Sequence, residues 1–224
     1  MNLLSFELAT EQCSVALLVD GELHQLAASG NRPSREILKM ASELMAEAEL
    51  SLHDMDALAF GRGPGAFTGL RIAAAVVQGL AFGAELPVVP VSSLAALAQR
   101  ACEDHGARNV IALLDARMNE VYAGCFRVAS NGLVRAVDEE RLLPPEQLEL
   151  PDDGETWTGA GPGWQAWRER FAALPGELRP EVLPDAAAVA RLAAVEFAAS
   201  GGVDAAEAVP VYLRDQVAWQ KTTA

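Results

Sequence analysis

Apolar and polar residues alternate along the first thirty residues of the chain, which is typical of β-strands. The segment LLSFELA predicts one strand, and CSVALLVDGELHQLAAS predicts two more that join at Asp20-Gly21. Asp-Gly favours a tight hairpin because both central turn positions can take positive φ. The spacing of apolar residues then changes to three and four, which predicts a helix over about Ser34–Glu49. Its two neighbouring apolar stripes consist of Ile37, Ala41, Leu44 and Ala48, and of Leu38 and Met45.

The next elements alternate between strand and helix. MDALAFG predicts a strand, the glycine-rich GRGPG a turn, Thr68–Phe82 a long helix, and LPVVPV another strand. A further helix is expected to begin with Ser92 or Ser93 as its N-cap residue.

The second half of the chain repeats this plan. Ala112–Phe126 aligns with Leu4–Leu18, and each segment places an acid at a strand end before a short turn. GAGPG, residues 159–163, matches GRGPG, residues 61–65, each between a strand and a helix. Internal repetition of this kind predicts two similar α/β lobes. We expect them over residues 1–106 and 107–224, with mixed sheets flanked by helices and a C-terminal tail that can pack back on the first lobe.

The helix after the glycine turn is apolar around nearly its whole circumference, with Arg71 and Gln78 as the polar exceptions. Such a helix needs cover on all sides. One sheet covers one side, and small residues such as Ala75 and Gly79 would let a second helix approach closely. The pattern therefore favours a subunit interface slightly over complete burial inside one lobe.

The glycine turn itself has two interpretations. Unpaired N–H groups at the start of a helix can bind phosphate. However, no Gly-Lys-Ser/Thr follows, so the segment is not a P-loop, and GRGPGA is only a weak dinucleotide match because Pro64 lies inside the loop. A structural turn is the favoured interpretation.

Composition limits the possible functions. The 224 residues carry a formal net charge of −14, and phosphate backbones are bound mainly by Lys and Arg. We therefore expect the chain to reach nucleic acid only through a partner. There is no run of about 18 apolar residues, no signal peptide and no paired-cysteine framework, which predicts a cytoplasmic protein without a membrane span.

Two strand-end acids are the candidates for chemistry. Glu7 and Asp115 could hold Mg²⁺ between the lobes, as carboxylates do in phosphoryl transfer, or could simply cap turns. The three histidines are isolated and lack zinc-site spacing, and no GxSxG nucleophile elbow is present.

Several ordered segments resemble the bacterial TsaB (YeaZ) family of tRNA threonylcarbamoyladenosine biosynthesis proteins. They are ELATEQCSVAL, GRGPGAFTGLRIAAAVVQGLA, PVVPVSSLAALA, LLDARMNEVYAGCF, TGAGPGW and PVYLRDQVAW. The resemblance implies two ribonuclease-H-like lobes of the actin, Hsp70 and sugar-kinase superfamily. It implies a non-catalytic subunit that dimerises with TsaD, the threonylcarbamoyl-transferring subunit, joins the ATPase TsaE, and self-associates when isolated. The implied interface residues are Ile37, Leu38, Ala41, Leu44, Met45, Ile72, Ala75, Val76 and Gly79.

The resemblance also implies a vestigial nucleotide cleft, formed by Glu7, Thr10, Gly63, Gly65 and Asp115. The family's usual Asp-Thr-Ser at the first strand is Glu7-Leu8-Ala9 here. The longer carboxylate and the lost hydroxyl argue against nucleotide chemistry, so no cofactor or metal is expected in this chain, and ATP or ADP and magnesium belong to the complex. The alternatives are an active ATP-dependent transferase that uses Glu7 and Asp115, and a peptidase.

Overall fold

The hairpin predicted at Asp20-Gly21 is present in the computed structural model, which describes residues 1–29 and 36–214. It joins the second and third of three antiparallel strands: β1 (Asn2–Glu7), β2 (Gln12–Val19) and β3 (Glu22–Ser29). Asp20 and Gly21 have φ values of 50° and 90°, so both turn residues adopt the positive φ that this dipeptide favours.

The first sheet is completed by two parallel strands. The elements are α1 (Ile37–Glu47), β4 (Ala57–Gly63), α2 (Phe67–Ala84), β5 (Val88–Ser92) and α3 (Ser93–His105). The strand order is β3-β2-β1-β4-β5, with β4 parallel to β1 and to β5. Ser92 is the N-cap residue of α3, and its hydroxyl oxygen accepts a hydrogen bond from the Ala95 amide at 3.0 Å. The predicted start of α1 at Ser34 lies outside the described residues.

The second sheet has the same connectivity. Its strands are β6 (Asn109–Asp115), β7 (Val121–Val128), β8 (Val134–Ala136), β9 (Arg141–Leu143), β10 (Thr158–Ala160) and β11 (Glu177–Arg179). The order is β11-β10-β6-β7-β8, and β9 pairs with β7. The antiparallel pair β6–β7 corresponds to β1–β2, and β10 runs parallel to β6 as β4 does to β1. The central glycines of the two GxGPG turns, Gly63 and Gly161, have φ values of 100° and 102°, which supports the predicted repeat.

The repeat differs in its helices. The glycine turn of the second sheet leads only into the four-residue α4 (Gly163–Ala166), where the first leads into the 18-residue α2. Short 3₁₀ helices cover Leu52–Asp54, Pro145–Gln147, Arg168–Arg170 and Ala205–Glu207.

Helices cover both faces of the first sheet. Along β1, Leu4 and Phe6 belong to the core beneath α1 and α2, whereas Leu3 belongs to the core beneath α5 (Ala186–Ser200). This division follows from the period of two in a strand. Although α5 follows the second sheet in the chain, it lies against β1, β2, β4 and β5 of the first.

One helix among the described residues, α2, is long and apolar enough to cross a membrane by length and composition alone. The helix packs Ala73, Ala74, Val77 and Ala81 into the core of the first sheet, and Leu70 is also buried. A helix with one side in a protein core meets the same criterion, so the property is weak evidence for a membrane span.

We predict that Gly69→Ala destabilises the protein by about 2–3 kcal/mol, because overpacking against backbone cannot be relieved by a rotamer change. A Cβ atom at Gly69 would lie 1.9 Å from the carbonyl oxygen of Leu8. Gly83 of the same helix is the matched control, since a Cβ there would meet no atom within 4 Å and Gly83 is not among the implied interface residues. Gly83→Ala should stabilise the protein by about 0.5–1 kcal/mol through helix propensity. Urea unfolding measures both, and equal effects of the two substitutions would contradict the assigned contact.

Candidate functional site

The chain's own backbone fills the space beside the glycine turn. A Cβ atom on Gly65 would lie 2.5 Å from the Cβ of Ala9, and one on Gly63 would lie 2.8 Å from Leu70 and 3.1 Å from the carbonyl oxygen of Val211. The Ala66 amide, at the N-cap of α2, donates a hydrogen bond to the Ala9 carbonyl at 2.8 Å. The glycines thus permit close backbone approach, as a structural turn requires, and leave no cradle for a phosphate.

The first candidate acid, Glu7, is buried, and both of its carboxylate oxygens are hydrogen-bonded. Only 1% of its surface is exposed, and its two carboxylate oxygens accept hydrogen bonds from the Ala9 amide at 2.6 Å and the Ser93 hydroxyl at 2.9 Å. The carboxylate lies where a side chain on Gly61 would have to be, since a Cβ there would be 1.9 Å from Oε2. Burial raises the pKa of Glu7 from 4.5 to about 7, although the hydrogen bonds from Ala9 and Ser93 act in the opposite direction.

The second candidate acid, Asp115, organises its own turn. Its carboxylate accepts hydrogen bonds from the Arg117 amide at 3.0 Å and the Trp167 indole N–H at 3.1 Å, and it forms an ion pair with the Arg117 guanidinium at 3.1 Å. Thr10 likewise caps the β1–β2 turn, where its hydroxyl oxygen accepts from the Gln12 amide at 3.3 Å.

These residues do not fit a magnesium–nucleotide site. Glu7 and Asp115 belong to different sheets, and each carboxylate is bound by groups of its own: Glu7 by Ala9 and Ser93, and Asp115 by Arg117 and Trp167. Within residues 1–29 and 36–214, no group of three or more His, Cys, Asp or Glu side chains is placed to hold a metal ion. The Glu7 carboxylate is already bound by Ala9 and Ser93, and atoms of the chain itself fill the space beside Gly63 and Gly65.

The predicted interface on α1 needs correction. Ile37, Ala41 and Leu44 are buried in the core of the first sheet, so their assignment to an exposed interface is wrong. Together with Met40 they form the stripe that α1 turns toward its own sheet, because these apolar residues recur at the helical spacing of three and four. Of the second stripe, Leu38 is 52% exposed and Met45 is half-buried.

The predicted face on α2 is accessible. Ala75 and Gly79 are exposed, while Ile72 and Val76 are half-buried. The sequence interpretation missed Phe82, whose ring is 82% exposed at the end of this face. A groove of about 420 Å³ runs beside it, lined by Ala75, Gln78, Gly79, Phe82, Ala205 and Ala206. The 3₁₀ helix that forms the far wall is distant in sequence, so periodicity could not reveal the groove.

A cation–aromatic cluster at the start of α2 was also missed. The Arg71 guanidinium lies 3.8 Å from the ring centre of Phe67 and donates a hydrogen bond to the Tyr212 hydroxyl at 3.1 Å. The rings of Phe67 and Tyr212 are 5.5 Å apart. In the sequence, the segment that contains Tyr212 contributed only to the family resemblance, and no contact of Tyr212 with another residue was predicted.

Two mixed sheets of equal connectivity, with helices between and around them, define a two-lobed ribonuclease-H-like protein. The family model described as "TsaD: tRNA N6-adenosine threonylcarbamoyltransferase" matches residues 27–221. The chain is 40% identical to the "tRNA threonylcarbamoyladenosine biosynthesis protein TsaB" of Haemophilus influenzae, over 99% of this chain and 97% of that protein. The same identity holds for the TsaB of Escherichia coli, over 99% and 98%.

A solved structure described as YeaZ from Pseudomonas aeruginosa superimposes on the chain with a TM-score of 0.91 at 46% identity. The match covers 95% of this chain and 99% of that one. These findings confirm the predicted fold class and family resemblance. The chain belongs to the TsaB (YeaZ) family.

The raised pKa of Glu7 predicts a specific pH dependence of stability. A carboxyl group whose pKa is higher in the folded state contributes most to the unfolding free energy below pH 4.5, and this contribution decreases as the pH rises to about 7. Glu7→Gln remains uncharged and should therefore gain about 3 kcal/mol relative to the unchanged protein between about pH 4.5 and 7.

Urea unfolding of both proteins at several pH values measures this difference. All other titrating groups are shared, so they cancel in the comparison. Parallel pH profiles for the two proteins would show that Glu7 is not desolvated in solution.

Proposed function

We propose that this chain is a non-catalytic subunit of the machinery that transfers threonylcarbamoyl to the tRNA adenosine next to the anticodon, and that it acts by pairing with TsaD. The observation that carries the proposal is the 40% identity to two TsaB proteins along nearly the whole chain. A role in threonylcarbamoyladenosine biosynthesis follows from that relationship, and the geometry of the cleft and of α2 supports the more specific role of a partner subunit.

The cleft argues against catalysis by this chain. Phosphoryl and acyl transfer depend on charged groups positioned around the reacting atoms. Here Glu7 is hydrogen-bonded beneath Gly61, and Asp115 is paired with Arg117 and Trp167. The active-transferase alternative would need both carboxylates free to bind magnesium. We therefore propose that Glu7 and Asp115 stabilise the turns at the ends of their strands, and that nucleotide and magnesium act only in the complex.

The exposed face of α2 is the proposed pairing surface, together with Leu38 and Met45 of α1. Ala75 and Gly79 allow another helix to approach closely, and Phe82 offers a large ring at one end. A buried aromatic side chain removes about 150–250 Å² from water, so one exposed ring contributes a large share of the apolar centre of an interface. We propose that TsaD occupies this face in the complex and that a second copy of the chain occupies it in isolation.

The charge of the chain fits a supporting role. With a formal net charge of −14, the chain repels the phosphate backbone of tRNA, so we propose that it meets tRNA only within the complex. TsaE is proposed as the third component, and the cytoplasm, where tRNA is modified, as the location.

Ala75→Arg tests the pairing surface. A guanidinium buried without a partner costs several kcal/mol, so TsaD affinity should fall at least about 100-fold. Val195→Arg on α5 is the matched control, because Val195 is 47% exposed and α5 covers the opposite face of the first sheet. Co-purification with TsaD and sedimentation of the isolated chain measure hetero- and homodimerisation. A folded Ala75→Arg protein that binds TsaD as well as the control does would exclude this face.

Activity assays test the non-catalytic assignment. The purified chain should show neither magnesium-dependent ATP hydrolysis nor threonylcarbamoyl transfer, and adding TsaD should be required for both. Turnover by the chain alone that disappears in Asp115→Ala would establish the transferase alternative instead. Cleavage of peptides by the purified chain would favour the peptidase alternative.

A further inference from the structure

The segment Val211–Arg214 crosses from the first sheet to the second. On the first sheet, the Val211 amide donates a hydrogen bond to the Arg62 carbonyl at 2.8 Å, at the end of β4. The following residue, Tyr212, contacts Phe67 and Arg71 at the start of α2. Backbone and side chain thus both anchor this end of the segment to the glycine turn and its helix.

The other end of the segment contacts the β6–β7 turn of the second sheet. The Arg214 guanidinium donates a hydrogen bond to the Ala116 carbonyl at 3.1 Å and forms an ion pair with Glu120 at 2.6 Å. The side chains of Arg214 and Glu120 are only 18% and 26% exposed. A partly buried, charge-assisted contact is stronger and less screened than a surface pair.

The turn that Arg214 contacts has an unusual backbone. Arg117, Met118 and Asn119 all have positive φ, at 60°, 51° and 63°. Consecutive residues other than glycine in this region are strained and persist only when surrounding contacts hold them. The Ala116 amide is hydrogen-bonded to the Glu120 carbonyl, and Arg214 binds both ends of this closed turn.

We propose that Val211–Arg214 is a strap that holds the strained β6–β7 turn of the second sheet in a fixed position relative to the start of α2 in the first. Arg214 follows Val211 by only three positions, so at most about 10 Å of backbone joins the two anchor points. A tether this short transmits the position of one end to the other. Anchoring of Tyr212 on α2 therefore determines whether Arg214 reaches the turn.

Contacts other than the strap also connect the two halves of the protein. Ser92, at the N-cap of α3, donates its hydroxyl proton to Glu140, which follows β8 in the chain. The core around α3 also combines residues of both halves of the chain. Loss of the strap should therefore leave the protein folded and should affect the turn locally.

Hydrogen exchange of the full-length chain tests the strap through two variants. Arg214→Gln removes the charge-assisted contact directly, and Tyr212→Ala removes the side-chain part of the anchor, on α2, while the backbone hydrogen bond of Val211 remains. Each variant should increase the exchange rates of the Ala116 and Glu120 amides about tenfold. This is the increase expected when the closed turn loses one stabilising hydrogen bond to a charged group. Arg127→Gln is the matched control, because Arg127 of β7 also pairs with an acid, Asp153 in the segment before β10, at 2.7 Å and lies away from the strap.

The decisive result is the response to Tyr212→Ala, since the Tyr212 side chain contacts Phe67 and Arg71 on α2, which packs against the first sheet. Faster exchange at Ala116 and Glu120 in this variant, with the control unchanged, supports transmission through the strap. Unchanged exchange in Tyr212→Ala, or equal acceleration in Arg127→Gln, would overturn it. Circular dichroism checks folding, and Tyr212→Leu replaces Tyr212→Ala if the latter does not fold.

Discussion

The contact between Gly69 and the Leu8 carbonyl determines where α2 lies. No side chain fits between the two backbones, so the first turn of the helix sits directly on the turn that follows β1. Gly65 makes a similar approach to Ala9. With its start fixed in this way, α2 buries one stripe in the first sheet and presents the opposite stripe outward. The cleft and the strap meet near this junction, because Glu7 lies against Gly61 and Val211 is hydrogen-bonded to Arg62, whereas the pairing surface lies further along α2.

Sequence periodicity predicted the elements of the first lobe well, because each strand and helix has one face against a core. It did not predict which stripe of α1 faces that core. Ile37 and Leu44 belong to a stripe that Met40 and Ala41 continue with apolar residues, whereas Leu38 has the exposed Ser42 one turn further along the helix. The unbroken apolar spacing was the available signal. Apolar character alone does not distinguish a residue that packs on its own sheet from one that remains accessible.

The burial of the Glu7 carboxylate could not have been predicted from its position at the end of a strand. Its burial depends on the absent side chain of Gly61 in the neighbouring strand and on the hydroxyl of Ser93 in α3. These residues are separated by 54 and 86 positions from Glu7 and come together only through the sheet order. The internal repeat, by contrast, was visible in the sequence, because the matching Gly63 and Gly161 each require a backbone conformation that favours glycine.

The return of α5 to the first sheet has a consequence for biosynthesis. Residues 1–106 supply every strand of that sheet, but Leu3, Ala59 and Val89 have their apolar cover only when Ala186–Ser200 is present. On the ribosome, the first lobe therefore emerges with one face open and stays so until nearly the whole chain has been translated. Contacts this distant in sequence form slowly, and uncovered apolar surface promotes aggregation in the interval. The first lobe can thus complete its core only after α5 has emerged.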